Sequence, residues 1–325
     1  MGFPRCVRHH HPQYSLGCRA TLAAPRAAMQ TTLLILPNFV LILAGLALAR
    51  RFGFGGDFWA GLEKLVYFVL FPALLFRTLA LATLDLGSVA TMLACGAGIT
   101  VLAMGLSALA RPLFGANPRT AASCFQCAFR FNSYIGLAVA GTVYGAPGLA
   151  LTALIFGAMI PMVNVAAVSM LAAHSRANPW AELARNPLVL STVGGLVWGQ
   201  LGLPLPRFAD QTLNLLGQSA LPAGLLAVGA ALRIEGMGEK PLVHGWWLAI
   251  KLVLMPAGAI ACAHFFVLPP NEAGALVVWA ALPTAASAYI LAVRMGGDGP
   301  AVAAQITAST LLSMLTLPVW IALIV

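Results

Sequence analysis

The chain is 325 residues long, 60% hydrophobic and only 8% charged, with a mean hydropathy of +0.90. This composition excludes a water-soluble globular domain, and apolar runs of about 18 residues or more recur along its length. The net charge of +9 falls to +5 without the four arginines ahead of Met29. No basic stripe with interleaved aromatics accompanies it, so the charge is that of membrane-protein loops and no nucleic-acid partner is expected.

Residues 1–28 carry Arg5, Arg8, Arg19, Arg26, His9, His10 and His11 and no acid. They lack the apolar stretch of a targeting peptide. They are expected to be a disordered leader or a misassigned start, with Met29 directly before the first apolar run. One membrane domain over 29–325 is expected to follow. Its predicted spans lie at about 31–49, 59–83, 88–110, 119–143, 147–173, 187–203, 209–233, 241–267, 272–295 and 298–323, each near the ~20 residues a bilayer requires.

Glu63, Lys64 and Arg77 lie toward the ends of the second span, where charged side chains reach the interface. In the fourth span, Phe129-Arg130-Phe131-Asn132-Ser133-Tyr134 interrupts the apolar pattern. Arg130 falls about 11 residues into that span, about 16 Å deep at ~1.5 Å per residue. A cation near the midplane must face a cavity or a partner. No Asp or Glu is predicted at similar depth, so contact with a substrate anion is set against a structural ion pair. Cys124 and Cys127 have the spacing of a redox or zinc pair but lie in an apolar helix without a second ligand pair, and are read as packing residues.

Asn164 in the fifth span and Gln305 in the tenth are polar supports between helices, with Thr310 a further candidate for a coupling ion. Lys251 lies about 15 Å into the eighth span by the same rise. It either contacts substrate or bonds carbonyls freed by a broken helix. The ninth span breaks at Pro283-Thr284-Ala285-Ala286-Ser287-Ala288-Tyr289, placing Pro283, Thr284, Ser287 and Tyr289 beside the break. No P-loop, no His-Glu-x-x-His and no pair of buried aspartates is present, so no catalytic constellation is expected.

The two halves repeat. Gly45-Leu46 matches Gly195-Leu196 and Pro72 matches Pro222 at an offset of 150 positions, while Ser133 matches Ser287 at 154. Five spans per half is odd, so the second copy enters the membrane from the opposite side. This predicts inverted repeats over about 31–173 and 187–323. Broken helices survive in a bilayer only where they line a cavity or pack inside protein. A pair at equivalent places in two such halves points to a transporter's substrate site. Loops after odd spans hold Arg50, Arg51, Arg111, Arg119, Arg176, Arg185, Arg233 and Lys240; those after even spans hold only Arg207. The positive-inside rule puts the odd loops in the cytoplasm and both termini outside a cytoplasmic (inner) membrane.

Several segments carry a resemblance. They are Gly61-Leu-Glu-Lys-Leu-Val-Tyr67 through Pro72-Ala-Leu-Leu-Phe76, Asn186-Pro187-Leu-Val-Leu190, Ala220-Leu-Pro222-Ala-Gly-Leu-Leu226 with Gly229-Ala-Ala-Leu232, and Thr307-Ala-Ser-Thr310 through Pro318. Through them nearly all of 31–325 resembles the auxin efflux carrier family, which includes plant PIN-type carriers and bacterial malonate or malate permeases. The resemblance implies a fold like that of bile-acid symporters and sodium/proton antiporters. Spans 1, 2, 6 and 7 would form a scaffold and spans 3–5 and 8–10 a mobile bundle, with broken spans 4 and 9 crossing. The plant carriers have an Asn-Pro crossover in span 4; here Ser133 follows Asn132. The expected function is secondary transport of a small organic anion bound by Arg130, Asn132, Ser133, Tyr134 and their span 9 counterparts. No cofactor is expected, Na+ or H+ coupling stays open, and so does a homodimer. A membrane sensor or enzyme is the competing class.

Overall fold

The computed structural model describes residues 12–82, 86–171, 186–233 and 241–324, with side chains of the first helix from Thr32 onward. Arg176, Arg185 and Lys240 of the loop-charge argument, and Arg5, Arg8, His9, His10 and His11 of the leader, lie outside the described residues. All regular structure among the described residues is helical.

Helix α1 spans Pro12–Arg51. Helices α2 (Gly56–Leu65) and α3 (Phe71–Ala80) continue one another through a π turn at Val66–Leu70. The cause is Pro72, which lacks an N–H and whose ring would strike the carbonyl four residues back. One wider turn relieves that clash. The same device recurs where α10 (Pro241–Ala249) meets α11 (Met255–Phe265) through Ile250–Leu254, ahead of Pro256. Between these come α4 (Leu86–Ala108), α5 (Ala110–Phe114), α6 (Pro118–Cys124), α7 (Ser133–Leu171), α8 (Pro187–Gln200) and α9 (Arg207–Ala231). Pro222, unlike Pro72, sits inside an uninterrupted helix. The chain closes with α12 (Pro270–Ala281), α13 (Ser287–Arg294) and α14 (Gly299–Ala322).

Seven helical stretches among the described residues are long and apolar enough to cross a membrane. Ten spans were expected from the sequence. The difference arises at three places. Residues 118–171 count as one stretch of 54, which laid straight would measure about 81 Å against a ~30 Å hydrocarbon core. That stretch leaves helical geometry at Gly145, where φ is 63°, a left-handed value that glycine adopts without steric cost. Helix α8 has only 14 residues. Finally, the region of the ninth predicted span is divided into α12 and α13.

The helices pack in two groups. The most extensive contacts join α1 to α9 and α3 to α8, with α3 also on α9. The second group centres on α12, which packs against α7, α11 and α14. Glycine sets the closest approaches in the first group. A Cβ at Gly45 would fall on the backbone of Leu226, and one at Gly195 would lie 2.5 Å from the carbonyl oxygen of Phe76. Both pairs are related by the same offset of 150 positions. Small residues that let backbones approach are the main device for tight helix association in lipid. Trp247, Trp279, Phe71, Phe129 and Phe156 fill the interior, whereas leucines such as Leu33, Leu102, Leu190 and Leu315 cover the outside. An apolar exterior over an apolar core suits a protein whose solvent is lipid.

Candidate functional site

Both breaks predicted from the sequence are present, and their second halves begin at the matched serines. A 3-10 turn at Phe125–Ala128 ends the first half before α7 starts at Ser133. Helix α12 ends at Ala281 and α13 starts at Ser287.

The freed backbone groups of the two breaks satisfy one another, as buried backbone polar groups must. The Asn132 N–H donates to Pro283 O at 2.9 Å. The Thr284 hydroxyl donates to Cys127 O at 2.8 Å, and the Thr284 N–H donates to the Ser309 hydroxyl at 3.1 Å. Asn132 Oδ1 accepts from the N–H groups of Tyr134 and Ile135 at 3.1 and 3.2 Å, capping α7. Gln126 Nε2 donates to Ala288 O at 3.2 Å and adds a further tie. Asn132→Ala is expected to lower stability by ~0.5–2 kcal/mol, the usual effect of removing an N-cap. Asn132→Asp should retain the cap while placing a negative charge beside Arg130. Thermal unfolding of the two variants separates the cap from the charge.

Arg130 is 8% exposed. Its Nη1 donates to Ser287 Oγ at 3.1 Å and its Nη2 to Asn164 Oδ1 at 2.9 Å. Both partners are neutral, and Nε has no partner among the described residues. The Arg77–Asp210 pair at 2.7 Å is the only ion pair there. The guanidinium therefore has no acid within ion-pair distance among the described residues and leaves Nε free.

A cavity of about 630 Å³ opens on these groups. Arg130, Asn132, Ser133, Tyr134, Asn164 and Ser287 all line it, so six of the twelve predicted site residues come together there. The Tyr134 ring lies 4.7 Å from that of Phe71 on α3, in contact with the other helix group. Five polar or charged lining residues were not assigned to the site from sequence: Glu63, Lys64, Tyr67, Asn186 and Arg294. Glu63 and Lys64 carried a signal as charges within a span, which an interfacial position explained equally well. The lining holds Arg130, Lys64 and Arg294 against one acid, Glu63. Low-dielectric walls focus such a positive excess onto an entering anion. The N-termini of α7 and α13 add partial positive charge at the same place.

The other six residues are placed elsewhere. Pro283 and Thr284 bind the breaks together as described. The Tyr289 ring lies under the Arg233 guanidinium, 5.5 Å from its centroid. Lys251 is fully buried, and its Nζ reaches Ala280 O at 3.3 Å and Met255 Sδ at 3.5 Å. It thus meets the carbonyl end of α12, where the negative end of the helix dipole favours a cation. Gln305 bonds to the His244 ring and carbonyl at 3.0 and 2.9 Å. Thr310 is buried with no hydrogen-bond partner for its hydroxyl among the described residues.

Helical stretches that suit a membrane, and two broken helices meeting at a cationic cavity, define the class of a membrane transport protein. Residues 174–321 match the family described as "Membrane transport protein". The chain is 27% identical over 307 residues to a Rhizobium meliloti (strain 1021) protein named "Putative malonate transporter", covering 88% of this chain and 93% of that one. It is 26% identical to the "Uncharacterized transporter YfdV" of Escherichia coli (strain K12), covering 88% and 95%. An "Uncharacterized transporter" of Methanothermobacter thermautotrophicus is 24% identical, covering 90% and 98%. The resemblance carried by the sequence is borne out: part of the chain matches this family of membrane transport proteins, and nearly all of it is similar to proteins named as transporters. The family and these relatives are transporters rather than enzymes.

Proposed function

We propose that the protein is a secondary transporter of small organic anions, a dicarboxylate such as malonate or malate or an auxin-like aromatic acid. The observation that carries this reading is Arg130, buried at the junction of the two broken helices, free of any acidic partner among the described residues and facing the cavity. A carboxylate there would meet the guanidinium and two positive helix ends. The malonate named for the Rhizobium relative is consistent with that chemistry.

Transport in this reading is elevator-like, with the group around α12 sliding against the group of α1, α3, α8 and α9. In this reading the chain is divided at Gly145, α12 is joined to α13, and the helices count as ten spans in two inverted five-helix repeats. The paired contacts of Gly45 with Leu226 and Gly195 with Phe76 support that arrangement. So do the helix starts at Ser133 and Ser287. The cavity is lined by Val168 near the end of α7 and by Asn186 and Leu188 at the start of α8, a side that the loop charges put in the cytoplasm of an inner-membrane protein.

Counterflow of labelled malonate and indole-3-acetate in sealed proteoliposomes tests the function. Accumulation of either above protein-free vesicles is the expected result. Its absence for both, with correctly folded protein in the vesicles, would overturn the reading. Imposed sodium and pH gradients in the same vesicles decide between uniport and coupling to Na+ or H+.

A further inference from the structure

A second cavity of about 620 Å³ lies apart from the crossover. Its lining combines α3 and α9 on one side with the Gly145 turn of α7 and the start of α12 on the other. The volume falls in the range that holds a small organic molecule.

Its electrostatics are opposite to those of the first cavity. Two charged side chains line it, Arg77 and Glu272. Arg77 is already paired with Asp210, Nε to Oδ1 at 2.7 Å. Glu272 is 7% exposed, and its Oε2 has no hydrogen-bond partner among the described residues. A buried carboxylate oxygen left without a donor is costly, and such an orphan calls for an explanation. Around it the walls are mixed. Leu74, Leu149, Leu213 and Leu221 supply apolar surface, while Asn214 and Asn271 supply orienting amides.

We propose that this cavity binds an organic ammonium ion with an apolar body, whose N–H groups meet Glu272. An ammonium supplies both the missing donor and the missing countercharge, and charge-assisted hydrogen bonds of this kind are the strong ones. A neutral molecule of the same shape supplies neither. A second consequence follows from the walls. They come from both helix groups, so an occupant bridges them and opposes their relative sliding. The binding stands independently of the organic-anion reading; only the effect on flux rests on it.

Tryptamine and indole-3-ethanol make a suitable pair of probes, equal in shape and different in charge. Titrated calorimetrically into the full chain in detergent, tryptamine should bind roughly tenfold or more tighter than indole-3-ethanol, the discrimination one charge-assisted bond provides. Glu272→Gln should reduce that preference to within about threefold on the same scale. Leu213→Trp fills the cavity without touching the carboxylate and should exclude both probes, which keeps the test open if Glu272→Gln does not fold. Arg130→Gln should leave tryptamine binding as in the parent, which distinguishes this cavity from the one at the crossover. In proteoliposomes, tryptamine should slow malonate counterflow without raising the malonate KM. Absence of tryptamine binding, equal binding of the two probes, or tryptamine affinity undiminished in Glu272→Gln would each overturn the proposal. Absence of malonate flux with tryptamine binding intact would count against the anion reading alone.

Discussion

Arg130→Gln is expected to weaken binding of a small dicarboxylate by about 10- to 150-fold, the loss of one charge-assisted hydrogen bond of ~1.5–3 kcal/mol. Gln keeps a donor in the cavity and removes the charge. The variant should still fold. Removing a cation is most damaging where it abandons a buried acid, and the partners of Arg130 are the neutral Ser287 Oγ and Asn164 Oδ1. Each bond from the charged guanidinium is worth roughly 1.5–3 kcal/mol, part of which the Gln amide donors regain, so the melting temperature should fall without loss of the fold. Arg130→Lys makes the discriminating companion. It keeps the charge but loses the planar fork that reaches two helices at once, so it should retain more affinity than Gln. Titration calorimetry with malonate, beside thermal unfolding of each variant, measures both effects. Equal affinity in Arg130→Gln and the parent would place Arg130 among the residues that only brace α7 against α13.

The parts of this site that were legible in the sequence share a cause. A polar or helix-breaking residue in the bilayer must be explained by its surroundings, so Asn132, Ser133, Pro283 and Ser287 announce themselves against an apolar background. The sequence match between Ser133 and Ser287 then falls on the starts of α7 and α13. The turn at Gly145 falls in the gap between the predicted fourth and fifth spans, which the sequence marked without singling out the glycine. What the sequence leaves open is direction around the helix axis. Helices apolar on all sides carry no stripe that says which face is inward. Lys251 illustrates this: its depth was readable, yet only the fold shows it turned to Ala280 O rather than into the cavity. Lys64 and Arg294 illustrate the converse. Charges near span ends have an interfacial explanation, and their membership of the cavity is a tertiary fact. The π turns at Val66–Leu70 and Ile250–Leu254 were also unread, because proline signals a disturbance and not which turn absorbs it.

The second large effect is expected at the contact between α1 and α9. A Cβ at Gly45 would fall on the carbonyl oxygen of Leu226, and a Cβ at Gly229 on that of Ile42. The obstacle in each case is backbone, which cannot rotate away as a side chain can. The helices must separate, and separation by even ~0.5–1 Å forfeits a quarter to a half of each dispersion well along the seam. Nothing else compensates, since lipid offers no hydrophobic drive to bring helices together. Alanine gains up to ~1 kcal/mol of helix propensity over glycine. Against this stands an overpacking cost of ~1–3 kcal/mol, or more where the strain cannot relax. Gly229→Ala and Gly45→Ala should therefore each destabilise the protein markedly, and the double variant should not accumulate as folded protein. Gly98→Ala is the control. Gly98 lies within α4 with nothing within 4 Å of a new Cβ, so propensity alone acts there and stability should hold or rise. Thermal unfolding in detergent followed by tryptophan fluorescence compares the three. A Gly229→Ala protein as stable as Gly98→Ala would mean that α1 and α9 do not approach so closely. The contact would then no longer support the rigid scaffold that the proposed elevator-like movement requires.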